Sequence, residues 1–180
     1  MSELAFWKAI VADKSNFLER AIQLLEENGL RYCVIGGVAV NAYVAPVVTE
    51  DLDIVIATAD LSRARALLGA AFRTREFPHR LNLYDLDSRL QVQLRLEHAL
   101  EGLVERATTE EVMGMRLPVA TREDLVDAKG RAAMDPTRRP SKRMKDVLDL
   151  ARLVGGFPEL LERIPQSLRA QVLTGVDDPS

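Results

Sequence analysis

Val34-Ile35-Gly36-Gly37-Val38-Ala39-Val40 and, beyond a proline, Thr49-Glu50-Asp51-Leu52-Asp53-Ile54-Val55-Ile56 are the segments that decide the fold. Tyr32 to Ile35 is a short apolar run ending in two glycines, which predicts a buried strand entering a tight turn. Val38 to Tyr43 predicts a short helix opening from that turn, and Pro46 breaks it. Asp51 to Ile56 predicts the next strand. Glycines let backbone N–H groups approach a phosphate, and a helix N-terminus favours negative charge. Asp51 and Asp53 are two apart on a strand, so their carboxylates share a face. Such carboxylates repel unless a cation lies beside them. Mg²⁺ carrying a nucleoside triphosphate suits them, because it takes one or two carboxylates together with phosphate oxygens. A Gly-Gly turn or an Asp-X-Asp alone reads as structural. Joined in this order, they point to a nucleotide site.

Outward from this stretch, Phe17, Ala21, Leu24 and Leu25 recur at helical spacing, and Asn28-Gly29 supplies the stop. Leu61 to Ala70 predicts a helix. Leu81–Tyr84 and Leu90–Leu96 alternate apolar and polar residues, and Asp85 to Ser88 makes the turn of a hairpin. A short strand is expected over Met113–Leu117, ending at Pro118. Thr121 is the expected N-cap of a helix running to about Met134, with Asp124 in the capping-box region. Asp135-Pro136 should end it, followed by a basic loop. A helix over Lys142–Val154 closed by Gly155-Gly156 comes next, then short helices near Pro158–Arg163 and Pro165–Leu173. The tail after Gly175 reads as frayed.

The chain has 180 residues, 47 % hydrophobic and 28 % charged, with a net charge of −3. That is the profile of a globular protein able to bury a core without staples. One cysteine, Cys33, reads as a small buried hydrophobe and fits a reducing cytoplasm. The first residues do not read as a signal peptide, and no stretch approaches membrane-spanning length. The charge excludes a uniformly basic nucleic-acid binder. Arg138, Arg139, Lys142, Arg143 and Lys145 nevertheless form a local basic patch suited to a triphosphate or an RNA backbone. His79 and His98 have no ligand spacing. Phe6, Trp7 and Phe17 read as core or interface.

The strand, Gly-Gly, short helix and Asp-X-Asp pattern resembles the nucleotidyltransferase superfamily over roughly residues 18–154. Leu117-Pro-Val-Ala-Thr-Arg-Glu-Asp-Leu-Val-Asp-Ala-Lys129 and Lys142-Arg-Met-Lys-Asp-Val-Leu-Asp149 are similar to segments of the AbiEii-type toxin nucleotidyltransferases. The resemblance implies an α+β fold: a nucleotidyltransferase-like mixed sheet flanked by helices over 1–120, and a helical part over 121–180 packing on it. It implies Mg²⁺ and an NTP as cofactor and substrate, an RNA (tRNA) or protein acceptor, and the toxin of a toxin–antitoxin pair with an antitoxin as partner. Asp51 and Asp53 would hold the metal. Gly36, Gly37, Thr49, Lys129 and Lys145 would bind the nucleotide. Lys129 and a downstream aspartate, Asp146 or Asp149, would be functional.

One departure stands out. The family places a third carboxylate on a later strand beside the Asp pair, and the matching position here holds Gln93, or else Gln91. An amide can offer an oxygen to Mg²⁺, but it is neutral and cannot act as a base. Asp85 and Asp87 lie nearby in sequence, though turn residues are their simpler reading. Two expectations follow. The chain is an active enzyme with Asp51, Asp53, Gln93, Lys129 and Asp146 in its catalytic set. Alternatively, it is a catalytically degenerate fold that binds a nucleotide or a protein partner as a regulatory module.

Overall fold

The computed structural model describes residues 3–97, 100 and 102–175; His98 and the tail after Gly175 lie outside them. The chain divides into two compact units, one of residues 1–42 and 47–120, the other of 43–46 and 121–180.

The first unit is built on a seven-stranded mixed sheet of order β3-β4-β5-β2-β1-β7-β6. Its strands are β1 (Tyr32–Ile35), β2 (Asp51–Ile56), β3 (Arg73–Phe77), β4 (Arg80–Tyr84), β5 (Gln91–Arg95), β6 (Thr108–Val112) and β7 (Met115–Val119). Helices α1 (Glu3–Ile10), α2 (Phe17–Glu27), α3 (Gly36–Asn41), α4 (Leu61–Ala71) and α5 (Leu103–Arg106) accompany it. β2 lies at the centre, antiparallel to β1 and parallel to β5. Leu52, Ile54, Leu83 and Leu94 are fully buried from the sheet, and Phe17, Leu18, Ala21 and Leu25 from α2. Each such large side chain contributes about 1.5–3 kcal/mol by leaving water. Phe17 meets Phe72 edge-on with ring centres 5.1 Å apart, a geometry aromatic quadrupoles favour. Trp7 and Phe17 are core residues, whereas Phe6 is exposed.

Two corrections concern β6 and β7. Met113 is no strand residue: Met113 and Gly114, with φ of 55° and 72°, form the two-residue turn of a β6–β7 hairpin. Positive φ at both positions gives the twist that joins antiparallel strands. The strand also does not stop at Pro118 but runs on to Val119. Its parallel register with β1 is confined to Val34↔Val119, so a residue lacking an N–H costs little pairing there. The exposed strand β3, the strand β6 and the helix α1 carry no clear period and are additions to the sequence reading.

The second unit contains α6 (Arg122–Met134), α7 (Pro140–Gly156), a 3-10 segment (Pro158–Arg163) and α8 (Gln166–Thr174). Thr121 caps α6, its hydroxyl oxygen accepting from the Asp124 N–H at 3.2 Å. The helix expected from Lys142 begins earlier, at Pro140, because proline at the first helical position sacrifices no hydrogen bond. Pro140 and Ser141 therefore join Lys142, Arg143 and Lys145 on α7, and the basic loop ahead of it ends at Arg139. Gly155 and Gly156 are inside α7 and do not close it. The helix stops at Phe157, whose backbone is pushed out of the helical region by Pro158. Among the described residues, no helix is long and apolar enough to cross a membrane.

Candidate functional site

Strand periodicity and register build the site in the first unit. Asp51 and Asp53 are half-buried on one face of β2, while Leu52 between them and Ile54 after them are buried on the other. Across the parallel ladder Asp51 registers with Gln91 and Asp53 with Gln93. Gln93 registers in turn with Asn82 of β4. A polar stripe thus crosses three strands.

Gln93 reaches diagonally along the ladder, its Nε2 donating to Asp51 Oδ1 at 3.0 Å. Asn82 Nδ2 donates to Gln91 Oε1 at 3.3 Å and to the Tyr84 hydroxyl at 3.0 Å. Its Oδ1 is buried without a hydrogen-bond partner among the described residues. Arg95, next on this face of β5, places Nη1 3.5 Å from Asp53 Oδ1. Its other nitrogens go to Glu97: Nε donates to Oε2 at 3.2 Å, and Nη2 pairs with Oε1. Burial works against the charged guanidinium, but the Glu97 hydrogen bonds and the Asp53 and Glu97 charges outweigh it and raise its pKa above the usual value. The Arg95–Asp53 contact is long and both groups are partly exposed, so it is worth about 0–1 kcal/mol.

The Gly-Gly turn meets Asp53 directly. Gly36 has φ of +75°, and a Cβ built there would collide with the Asp53 carboxylate. Only glycine satisfies both demands. Gly37 follows with ordinary φ in the first turn of α3. Thr49 is buried, its hydroxyl oxygen accepting from the Asp51 N–H at 3.4 Å, so it shapes the entry to β2. Asn41 closes the base of the segment before β2: its Nδ2 donates to the Val47 carbonyl at 2.8 Å, and its Oδ1 accepts from the Val47 N–H at 3.0 Å. The structure thereby brings together Gly36, Asp51, Asp53 and Gln93.

Asp85 and Asp87 belong to the β4–β5 turn. Asp85 accepts from the Asp87 N–H at 3.0 Å and pairs with Arg20. The Asp87 backbone bond is the largest influence holding its carboxyl below the usual range. His79 is exposed in the β3–β4 turn. Among the described residues, no group of three or more His, Cys, Asp or Glu is placed to hold a metal ion. Asp51 and Asp53 fit a single hydrated divalent cation that takes its remaining ligands from phosphate and water.

The residues singled out in the helical half form a cluster within the second unit. Lys129 Nζ lies 3.1 Å from Asp146 and 2.6 Å from Asp149. Arg138 pairs with Asp146 at 2.7 Å and Arg152 with Asp149 at 2.9 Å. Both aspartates are nearly inaccessible. Buried charges survive only when paired and hydrogen-bonded, and here three cations satisfy two carboxylates. Arg152 also donates to the Ala45 carbonyl at 2.7 Å. Lys145 is exposed and lines a shallow groove with Leu148 and Gln171. Arg152 could have been suspected from its i, i+3 spacing to Asp149 along α7, whereas Arg138 lies ahead of the helix and has no such spacing to Asp146. Asn82 and the Arg95–Asp53 contact carry no signal in sequence, because register alone creates them.

The central Asp-X-Asp strand, the Gly-Gly turn and short helix ahead of it, and the flanking helices define a nucleotidyltransferase-like fold. The antibiotic-resistance factor ANT(2'')-Ia, in its solution structure, has this architecture with a TM-score of 0.61 at 14 % identity, over 91 % of this chain and 93 % of that one. ANT(2'')-Ia in complex with adenylyl-2''-tobramycin matches with a TM-score of 0.57 at 14 % identity, over 88 % and 96 %. An antigenic nucleotidyltransferase-like protein from Paracoccidioides brasiliensis matches with 0.52 at 17 % identity, over 93 % and 87 %. No family model matches the sequence, and no curated protein does.

Proposed function

We propose that the protein is a Mg²⁺-dependent nucleotidyltransferase that moves a nucleoside monophosphate from an NTP to an acceptor hydroxyl. The observation that carries this reading is the single-face Asp51/Asp53 pair with Gly36 packed against Asp53. Asp51 and Asp53 hold the metal and with it the triphosphate. Gln93 fixes the Asp51 carboxylate through its amide. The Gly36-Gly37 backbone lets phosphate oxygens come close. The acceptor oxygen bonds to the α-phosphorus, the bond to the bridging oxygen breaks, pyrophosphate leaves, and the hydroxyl proton passes to water. Bound Mg²⁺ supplies positive charge against the triphosphate and the leaving pyrophosphate. Such transfers depend chiefly on positioning and electrostatics.

The resemblance of residues 117–129 and 142–149 to AbiEii-type toxins adds finer assignments to the proposal. The acceptor is tRNA or a protein side chain, the protein is the toxin of a pair, and Lys129, Lys145 and Asp146 serve the reaction. Against direct phosphate contact by Lys129 stands its engagement with two buried carboxylates.

The Asp pair also supports the second reading, a degenerate fold that binds nucleotide without transfer. Gln93 stands where a third carboxylate is expected, and the protein's own groups already engage both aspartates. Incubation with each labelled NTP, Mg²⁺, and either total tRNA or a cell lysate separates the two. Label transfer by the wild type, lost in Asp51→Asn, is the expected result. Mg²⁺-dependent NTP binding without transfer would favour the degenerate fold, and failure to bind any NTP would reject both.

A further inference from the structure

We infer that Arg95 is a positioning residue that stands in for a second metal ion, so that the Asp pair takes one divalent cation per chain. This rests on the metal role proposed for Asp51 and Asp53.

Three observations carry it. First, the stripe that faces the aspartates from β5 offers no acid: Gln91 and Gln93 are neutral, and Arg95 is a cation. Two carboxylates carry enough charge for one divalent ion, whereas a second would enter without a counter-charge. Second, the Arg95 guanidinium is aimed. Glu97 takes Nε and Nη2, which leaves Nη1 directed at Asp53 Oδ1. An arginine held through a fork by a carboxylate is a pre-oriented charge. Third, Gln93 donates to Asp51 on the same face. The amide therefore presents a hydrogen, not its oxygen, to the carboxylate that a second metal would need to share.

The three groups divide the work. Asp51 and Asp53 bind the cation. Arg95 gives a fixed positive charge beside it, to which phosphate oxygens can also turn. Glu97 draws Arg95 away from Asp53 far enough for the metal to enter. The opposing roles of Arg95 and Glu97 give changes of opposite sign. Without Arg95, Asp53 loses a competing cation and metal affinity rises. Without the Glu97 charge, Arg95 leans on Asp53 alone and metal affinity falls.

The test is titration of the protein with Mn²⁺ alone, counting free Mn²⁺ by its paramagnetic resonance. Wild type is expected to bind one ion per chain. Arg95→Ala should bind one ion at least about tenfold more tightly, because a unit charge some 4–5 Å from a divalent ion weighs that much even at the dielectric of water. Arg95→Lys should restore the wild-type affinity in part. Glu97→Gln should bind several-fold more weakly. The double variant Gln93→Glu, Arg95→Ala should bind two ions. Two ions in the wild type, or unchanged affinity in Arg95→Ala, would overturn the role of Arg95 and leave the metal role of the Asp pair standing. No binding by the wild type would overturn both. The unfolding temperatures of the variants separate misfolding from altered binding, and Arg95→Lys keeps the question open to refutation if Arg95→Ala does not fold.

Discussion

Gly36 and Gly37 are neighbours in a motif, yet they carry different constraints. Gly36 is confined to glycine by its φ of +75° and by the Asp53 carboxylate against its α-carbon, whereas Gly37 has ordinary φ. Gly36→Ala is expected to lose about 1–3 kcal/mol of stability, the usual cost of a strained residue, and to displace Asp53. Gly37→Ala should change stability by less than about 1 kcal/mol, as for other helix-compatible exchanges. Denaturant melts of the two variants check the contrast, and equal losses would mean that the Asp53 contact does not govern the turn. At Gln93 the amide satisfies Asp51 without adding charge. Gln93→Glu brings a third carboxylate beside Asp51. It is expected to lower stability in the absence of metal and to recover it as Mg²⁺ is added, because like charges repel until a cation enters. Thermal melts across a Mg²⁺ series read this directly, and a loss that Mg²⁺ does not reverse would count against a metal at this face.

At the level of elements, α2 shows how a helix can be capped from outside its own sequence signature. Asn16 precedes it in the left-handed region, at φ 55°, and makes no side-chain cap. The capping oxygens come from buried Asp13: Oδ1 accepts from the Phe17 N–H at 3.0 Å, and Oδ2 accepts from the Leu18 N–H at 3.3 Å. These are orphan donors at the start of the helix. Asp13→Ala should therefore cost about 0.5–2 kcal/mol, as cap removals do, while Asn16→Gly should be close to neutral because glycine adopts that φ freely. Urea midpoints measure both, and a larger loss at Asn16 would show that its side chain and not Asp13 holds the helix start. α7 makes the complementary point. Proline at its first position and the Phe157-Pro158 step at its end decide its bounds, and the two glycines in its last turn do not interrupt it.

Across the whole molecule, the chain passes between its two units at residues 42–43, 46–47 and 120–121. The second unit is organised by the ion network of Lys129, Arg138, Asp146, Asp149 and Arg152, and Arg152 ties segment 43–46 to α7 through the Ala45 carbonyl. Removing one partner of a buried pair leaves the other charge stranded, at a cost of about 3–5 kcal/mol. Lys129→Met is expected to destabilise the protein in that range, since Asp146 and Asp149 keep one arginine each but lose the cation they share. Asp149→Asn should destabilise as well, because the amide keeps one acceptor oxygen for Lys129 or Arg152 and turns N–H groups toward the other cation. Calorimetric unfolding measures both, and a stable Lys129→Met variant defective only in NTP binding would turn Lys129 from a structural cation into a phosphate ligand.

What could be read along the chain was what depends on neighbours in sequence. Period two put Asp51 and Asp53 on one face, period 3.6 marked α2 and α4, and Thr121 marked the start of α6, because each is set by local backbone geometry. The Gly-Gly turn before an Asp-X-Asp strand was enough to indicate the nucleotidyltransferase-like sheet. Arg95 beside Asp53, Asn82 beneath Gln93, Asp13 at the head of α2 and Lys129 between two buried aspartates were decided only in three dimensions. Strand register, the diagonal reach of a side chain and the pairing of buried charges join residues far apart in the chain. Their energies arise only once water has been excluded between them.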